Sequence, residues 1–476
     1  MDDLSSKHAE RRVVWGAYFI SAALWILCWE PIVLGRMVAA RYHNYDLGIY
    51  GQAIYRLSPS DPNPWLTVRE TRIFNDHFDP ILWVAAPVAK VIEPVLAGAL
   101  VELLFVLASP LAVVWLWKQR LLSAELAAVA TFYLLHCRGT ILAILFPFHP
   151  TTWAILPMAM LSAGMMAERR GVVIGSLVAL FCCKQEFPLV GLMAALVYGW
   201  RRQFRFGLVI GAISGAWLAV AMYLRPILFG SVTDYVAIRL LAPEGYWATL
   251  VRAWQGVDWR GIAHMLLPLA PLVGWLVLRR ERPPLWLWLL LLPPLTLRFL
   301  GRGWGFHYIA PLVPPLVLGL MPLGADKRLP KWVSISVVAI VVAINTPFFF
   351  RSAGSLLFER PPSNEPWEAN RLASIARANE YLKTHAEGKA LVQGNLVPRL
   401  VTRPDIYQIG GPHNPAEHTF RYVFLEKSPR GDVWPITLDD YRHLLAEWRS
   451  APDVHVIIDD EHVFLAEGSF SDLPRP

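Results

Sequence analysis

Apolar residues run along much of this chain in long blocks, without the two-residue alternation of a half-buried strand. A helix that crosses a bilayer needs about 20 such residues. Blocks of this kind stand at Val13–Leu34, Pro94–Trp117, Ala124–His136, Thr151–Ala167, Gly207–Tyr223, Ile262–Leu278, Pro284–Leu297, Ile309–Leu323 and Val333–Phe350. A further stretch between Gly171 and Trp200 is broken by Lys184-Gln185-Glu186-Phe187-Pro188, which predicts two short helices meeting at a polar break. Ile81–Ile92 is too short to cross and predicts an interfacial or re-entrant helix. The pattern as a whole predicts a mainly α, polytopic transmembrane helix bundle of about eleven spans. The start, MDDLSSKHAERR before an apolar run, lacks a small-residue cleavage site and reads as an uncleaved signal anchor.

The pattern changes after the last block. From Glu359 to Pro476 the chain is polar and of mixed period. Ser363 opens a capped helix running through Trp367, Leu372, Ile375 and Leu382. Strands are predicted at Ala390–Gln393, Ile406–Ile409, Tyr422–Leu425, Val454–Ile458 and Val463–Ala466, with a helix at Leu438–Trp448 before the last two. That order predicts a small α/β domain. The chain therefore divides into a transmembrane part, 1–350, with a first loop at 35–80, and a soluble part, 351–476.

Charge gives the bundle a direction. Only 17% of the 476 residues are charged, against about 25% in soluble domains. Short turns carrying Arg11/Arg12, Lys118/Arg120, Arg169/Arg170, Arg201/Arg202/Arg205, Arg279/Arg280/Arg282 and Lys327/Arg328/Lys331 all fall on one side when the spans are counted. By the positive-inside bias that side is cytoplasmic. The first loop, 137–150, 184–187, 225–260, 298–308 and the C-terminal domain are then outside the cell (inner) membrane. Cys28, Cys137, Cys182 and Cys183 lie in or beside apolar segments and read as small buried hydrophobes.

Ionisable residues within a bilayer are costly, so several at one face point to a site. Asp46 lies in YDLGIYGQ; Asp76, His77 and Asp79 lie in NDHFDP; His149 lies in FPFHP. Lys184 and Glu186 stand at the polar break, and Arg298, Arg302 and His307 lie in RFLGRGWGFHY. Arg41, Arg69, Arg72 and Arg239 also fall on the outer side, against the bias. Each has a plainer explanation beside the functional one. Asp46 would be a helix cap in a solvated loop, where the functional reading has Leu47, Ile49, Ile54 and Leu57 hold its helix against lipid; Asp76 and Asp79 would be solvated loop carboxylates. Lys184 and Glu186 would pair to close a hairpin, the histidines would be satisfied interfacial residues, and the arginines would touch lipid headgroups.

In this order the motifs YDLGIYGQ, HFDP, FHP, KQE and HYIAPLVP, followed by VQGNLVPRL and TRPDIY, resemble a family of bacterial multi-pass membrane proteins designated only as a domain of unknown function. KQE departs from that family's K-E-D pattern, so Lys184 matches while no role for Glu186 follows from the resemblance. The family in turn resembles the GT-C class of integral-membrane glycosyltransferases. That resemblance implies a catalytic carboxylate in the first outer loop, here Asp46, and a soluble domain on the outer face.

Two lines thus meet on transfer of a sugar from a polyprenyl-phosphate donor to a glycan, lipid or protein acceptor at the outer face. The chain has no nucleotide-binding motif, and nothing in it suggests nucleic acid as a partner. Asp46 would be the general base. Arg69, Arg72, Lys184, Glu186, Arg298, Arg302, His77, His149 and His307 would bind donor or substrate. No cofactor is required by these residues; a divalent metal at Asp46 with Asp76 or His77 fits their types, but no spacing indicates it. The rival classes are a transporter or flippase, which usually carries internal repeats and midplane charges, and a non-catalytic scaffold for envelope assembly.

Overall fold

A computed structural model of the protein describes residues 2–39, 45–146, 148–229, 246–300, 308–357, 367–414, 417–427, 436–451 and 453–472. Among them, six of the expected runs form helices long and apolar enough to cross a membrane. These are Lys7–Val38, Pro94–Lys118, Ala124–Leu145, Phe204–Phe229, Trp259–Arg279 and Lys331–Ala353. The other runs are shorter. Arg170–Cys183 and Pro188–Trp200 flank the polar break as expected, Ile155–Met166 follows Pro150–Trp153, and Leu285–Phe299 is a third short apolar helix. Ile309–Leu323 contracts to the turn Ala310–Leu312 and the helix Val313–Leu318.

Two stretches differ from the expectation. The third long helix does not stop at His136: Cys137 turns extended and the helix restarts at Arg138–Leu145. The Thr140 hydroxyl donates to the Leu134 carbonyl at 2.7 Å, satisfying an acceptor freed by the break. The stretch from Pro80 forms two 3-10 turns, Pro80–Val84 and Val88–Lys90, and their Leu82, Ala85, Ala86 and Ala89 are buried in protein rather than laid on lipid.

The cationic turns gather at one end of the bundle. Arg120 pairs with Glu10 at 2.8 Å, Arg169 donates to Gln119 at 3.2 Å, and Arg201 pairs with Glu168 at 2.6 Å. Lys327 pairs with Glu281 at 3.0 Å, and the Gly324 N–H donates to the Leu121 carbonyl at 3.0 Å. Four of these connections reverse through a left-handed residue, Arg120, Glu168, Arg202 and Arg280, with φ of 60, 54, 59 and 54°. Glycine is usual at this position; here charged side chains accept the backbone strain and reach the water at that end.

At the opposite end the first loop and the C-terminal domain share one core. The domain is a five-stranded sheet with spatial order β4-β3-β5-β7-β6, after a small hairpin β1 (Trp65–Leu66) and β2 (Thr71–Arg72) in the first loop. Its strands are β3 (Ala390–Val392), β4 (Ile406–Gln408), β5 (Phe420–Glu426), β6 (His455–Asp459) and β7 (Val463–Phe470). β3 pairs in parallel with β4 and β5; β7 pairs antiparallel with β5 and β6. Side chains alternate between the two faces. Leu391, Val423, Leu425 and Phe464 pack under the helix Leu438–Ser450, against Tyr441, Leu444 and Trp448. A register shift between Phe420 and Tyr422 sends Phe420 to this face as well.

The other face, with Ala390, Val392, Tyr422, Phe424 and Leu465, joins the helix Trp367–Thr384 and the first-loop helix Tyr45–Arg56 in one cluster. Leu47, Ile49, Ile54 and Leu57 are therefore buried in protein, not held against lipid as their apolar pattern suggested. Gly48 and Gly51 make the approach close. A Cβ at Gly48 would lie 2.9 Å from Val397 Cγ1, and one at Gly51 would lie 3.3 Å from Val401 Cγ1. Gln52 donates to Thr67 Oγ1 at 2.8 Å, and that hydroxyl donates to the Ile406 carbonyl at 2.6 Å.

One buried ion pair ties the domain to the first span. Arg371 is 1% exposed; it donates to Glu426 at 2.5 and 2.9 Å and to the Ala39 carbonyl at 2.9 Å, just past the end of helix Glu30–Val38. Asn395 donates to the same carboxylate at 3.0 Å. Removing one member strands the other charge in the core, a loss of about 3–5 kcal/mol. Glu426→Gln should therefore lower the melting temperature in detergent and speed proteolytic release of the C-terminal domain. Equal melting and equal cleavage in the variant would show that the pair does not hold the domain.

A second expected outcome concerns orientation. An alkaline phosphatase reporter, active only outside the cytoplasm, should be inactive when inserted at Gln203 and active when fused to the C-terminus. The inverse pattern would turn the bundle over.

Candidate functional site

Polar residues from five separate segments meet where the first loop lies over the bundle. The helix Tyr45–Arg56 carries Asp46 in its first turn and Tyr50 one turn later. The same helix docks through its glycines on the C-terminal domain, which fixes where Tyr50 points. Tyr50 is completely buried, and its phenol lies 3.3 Å from Asp79 Oδ2 and 3.1 Å from His149 Nε2. Its ring stacks on His77 at 5.7 Å between centroids and meets His149 edge-on at 4.8 Å.

The protons on this chain can be assigned. The Thr151 N–H donates to His149 Nδ1 at 3.2 Å, so that nitrogen is unprotonated. Neutral imidazole then carries its proton on Nε2. His149 Nε2–H donates to the Tyr50 oxygen, and the Tyr50 hydroxyl donates to Asp79. The turn that presents His149 is itself held by Glu102, which accepts from the His149 N–H at 3.0 Å.

Asp76 and Asp79 are not solvated loop carboxylates; both are buried. They respond differently because their partners differ. Burial pushes the Asp79 carboxyl up to about 7, against the opposing pull of Lys184, the Tyr50 hydrogen bond and Arg225. Burial also works to raise Asp76, but His77 and the Arg69 fork outweigh it and hold it at about 2. Arg69 grips Asp76 at 2.7 and 2.8 Å. Burial lowers His77 to about 4, although the neighbouring Asp76 favours its charge.

The polar break contributes the second half of the cluster. Lys184 is buried, with its Nζ 3.5 Å from the Tyr308 hydroxyl and 4.8 Å from the centre of that ring. Burial opposes its charge, but Tyr308, Glu186 and Asp79 more than restore it, so Lys184 remains a cation. Glu186 does not close a hairpin with Lys184; it pairs with Arg298, whose guanidinium stacks 3.2 Å from the Tyr308 ring centre. Gln185 Oε1 accepts from the Phe78 N–H at 3.0 Å and fastens the break to the first loop.

The structure thus brings together Asp46, His77, His149, Lys184, Glu186 and Arg298, with Arg69 behind Asp76. Asp46 is half-buried at the edge, close enough for its charge to act on Tyr50. Arg72 lies apart, half-exposed, donating to the Asn63 carbonyl at 2.7 Å and facing Asp61 at 3.5 Å. Arg302, His307, Arg41 and Arg239 lie outside the described residues. Among the described residues, no group of three or more His, Cys, Asp or Glu side chains is arranged to hold a metal ion. Sequence reading did not single out Tyr50, Glu102, Arg225 or Tyr308. Tyr50 and Tyr308 were in view inside YDLGIYGQ and HYIAPLVP. A cation within an apolar run was the signal for Arg225, which is buried and donates to the Asn75 carbonyl at 3.3 Å.

Residues 37–450 match the family described as predicted membrane protein (DUF2079), and the chain belongs to that family. The fold is similar to that of ArnT from Cupriavidus metallidurans. The crystal structure bound to undecaprenyl phosphate gives a TM-score of 0.56 at 14% identity, over 97% of this chain and 98% of that one. The apo crystal structure gives 0.55 at 14% identity, over 98% of both chains. The cryo-EM structure of the arabinofuranosyltransferase AftD from Mycobacteria gives 0.47 at 13% identity, over 97% of this chain and 40% of that one. No curated protein matches. The expected helical bundle with a small C-terminal sheet domain is present in an ArnT-like fold; of the eleven spans expected, six among the described residues are long and apolar enough to cross.

The pH dependence of stability follows from the two buried groups. Asp79 ordinarily titrates at 3.8 and does so at about 7 in the fold, so folding favours its protonated form. Its contribution is whole below pH 3.8 and is lost as the pH rises through about 7. His77 tilts the other way: folding favours its neutral form, and that contribution is lost as the pH falls from 6.5 through about 4. Asp79→Asn removes the first slope and leaves the second. The variant's stability relative to wild type should climb between pH 4 and 7, by on the order of 4 kcal/mol. Parallel pH–melting curves for the two proteins would show that Asp79 is not held protonated.

Proposed function

We propose that this protein transfers a sugar from a polyprenyl-phosphate donor to an acceptor hydroxyl at the outer face of the cell membrane. The observation that carries this reading is the junction of buried Lys184 with Arg298 and Tyr308 beside a carboxylate-bearing first loop, set in an ArnT-like fold. The ArnT complex with undecaprenyl phosphate supports a lipid phosphate as the ligand of such a fold. A transporter would place its charges near the bilayer midplane; here they lie where the first loop caps the bundle.

The reaction forms a bond between the acceptor oxygen and the anomeric carbon. The bond from that carbon to the phosphate oxygen breaks, and the polyprenyl phosphate departs with the electron pair. Asp46, half-buried and open at the edge, takes the proton of the acceptor hydroxyl; a base must sit about 2.6–3.2 Å from that oxygen. Lys184 and Arg298 face the charge that grows on the departing phosphate, where a low-dielectric setting strengthens their pull. Glu186 orients Arg298. His149, Tyr50 and Asp79 form the wall that positions Asp46, and His77 and Arg69 hold that wall from behind. Arg302 and His307 are assigned to the donor phosphate on their proximity in sequence to Arg298 and Tyr308; Arg72 belongs at most to the rim.

Purified protein in nanodiscs, supplied with a radiolabelled polyprenyl-phosphate sugar and an envelope extract as acceptor, tests the proposal. Asp46→Asn keeps the side-chain shape and should reduce transfer by on the order of a hundredfold or more with little change in melting temperature. Lys184→Met should lower kcat, since its charge serves the departing phosphate. Direct consumption of a nucleotide sugar, or near-normal transfer by folded Asp46→Asn protein, would overturn the mechanism.

A further inference from the structure

A second cluster of cations lies outside the site just described. A cavity of ≈ 510 Å³ is lined by Arg138, Arg260, His264 and Arg351, with Asp258 as its carboxylate. The three arginines come from three different long helices: Ala124–Leu145, Trp259–Arg279 and Lys331–Ala353. Each of these helices has its other end among the cationic turns, at Leu121–Ser123, Arg279–Glu281 and Lys327–Lys331. Arg138, Arg260 and Arg351 therefore belong to the opposite end, the one over which the first loop and C-terminal domain lie.

The charge there is poorly balanced. Asp258 already serves as a helix cap, accepting from the Gly261 N–H at 2.9 Å. The Arg138 guanidinium stacks on Phe348, 3.4 Å from the ring centre, and its Nη1 is buried with no hydrogen-bond partner among the described residues. A buried donor of this kind is normally satisfied, and unpaired cations at membrane depth are expensive. Arginine forks from several directions match the oxygens of a phosphate.

A neighbouring groove supplies the rest of the ligand. It measures ≈ 580 Å³, shares Asp258 and Gly261 with the cavity, and is lined by Trp259, Ile262, Leu266, Phe299 and Leu312. A free inorganic anion would have no use for such a surface. We infer that the cavity of Arg138, Arg260 and Arg351, with this groove, binds a lipid-linked phosphate. The phosphate sits among the arginines and a hydrocarbon chain lies in the groove. This site does not depend on the transfer reaction, and its residues are distinct from Lys184, Arg298 and Asp46.

Native mass spectrometry of the full chain released from nanodiscs reads the site without any activity assay. Nanodiscs of phosphatidylcholine alone, or with a minor fraction of phosphatidylglycerol or of a polyprenyl phosphate, separate the two sources of the same chemistry. Wild-type protein should retain an anionic lipid in preference to phosphatidylcholine. Retention of phosphatidylglycerol that Arg351→Gln weakens marks a bilayer phospholipid as the source, and retention of the polyprenyl phosphate alone, weakened by Arg351→Gln but not by Lys184→Met, marks the carrier at this cavity. Arg138→Gln and Arg351→Gln should each weaken that retention by about tenfold. Arg351 is exposed, so Arg351→Gln decides the matter even where Arg138→Gln does not fold. Equal retention by wild type and folded variants, no preference for anionic lipid, or displacement of the lipid by millimolar inorganic phosphate alone would overturn the inference.

Discussion

The docking of the helix Tyr45–Arg56 onto the C-terminal domain is the constraint on which the rest of the arrangement depends. One side of that helix lies against Val397 and Val401, and only glycine fits at Gly48 without displacing a neighbour. With the helix so fixed, Tyr50 points into the protein, and the ladder from His149 through Tyr50 to Asp79 has one geometry. A small shift of the helix would break both hydrogen bonds, since a phenol reaches its partners over a few tenths of an ångström. The domain beside the bundle thus braces the polar cluster through this helix, although none of its described side chains stands among the ionisable groups of that cluster.

Burial acts on neighbouring groups with opposite results, and charge decides which. Asp76 has a two-pronged guanidinium and remains ionised; Asp79, three residues on, has a neutral phenol and is half-protonated near neutral pH. Two carboxylates pushed apart in this way provide one permanent charge and one exchangeable proton within a single loop. Lys184 retains its charge because Tyr308, Glu186 and Asp79 surround it. Nearly every member of the cluster is set by a partner from another segment.

Much of the architecture was legible in the sequence because lipid imposes a simple rule on long apolar runs. The strands and the last helix of the soluble domain fall where period and turn residues placed them, within a few residues. What escaped were consequences of tertiary contact. Cys137 looked like the start of a loop, yet the helix resumes because Thr140 satisfies the carbonyl left open. Leu47, Ile49, Ile54 and Leu57 show the same apolar period against lipid or against a protein core, and period alone cannot separate the two. Asp76 and Asp79 read as solvated because nothing local records that Arg69, Tyr50 and His149 fold over them. Lys184, His149 and Arg298 were found because a charge beside an apolar block is conspicuous. Tyr50 and Tyr308 were passed over because a tyrosine there is ordinary.

The shared core also sets an order of assembly. A chain leaves the ribosome from its N-terminus, and early segments fold before later ones exist. The helix Tyr45–Arg56 is made near the start, but Val397 and Val401, which its glycines meet, come hundreds of positions later. Until then the helix has early partners such as Val95, beside Gly51, but lacks the wall that the C-terminal domain supplies. The docking that fixes Tyr50 is therefore completed only after Val397 and Val401 have been synthesised and placed, when the last long apolar helix, Lys331–Ala353, has already been made. A chain interrupted before that point would hold a finished bundle with its polar cluster still unbraced.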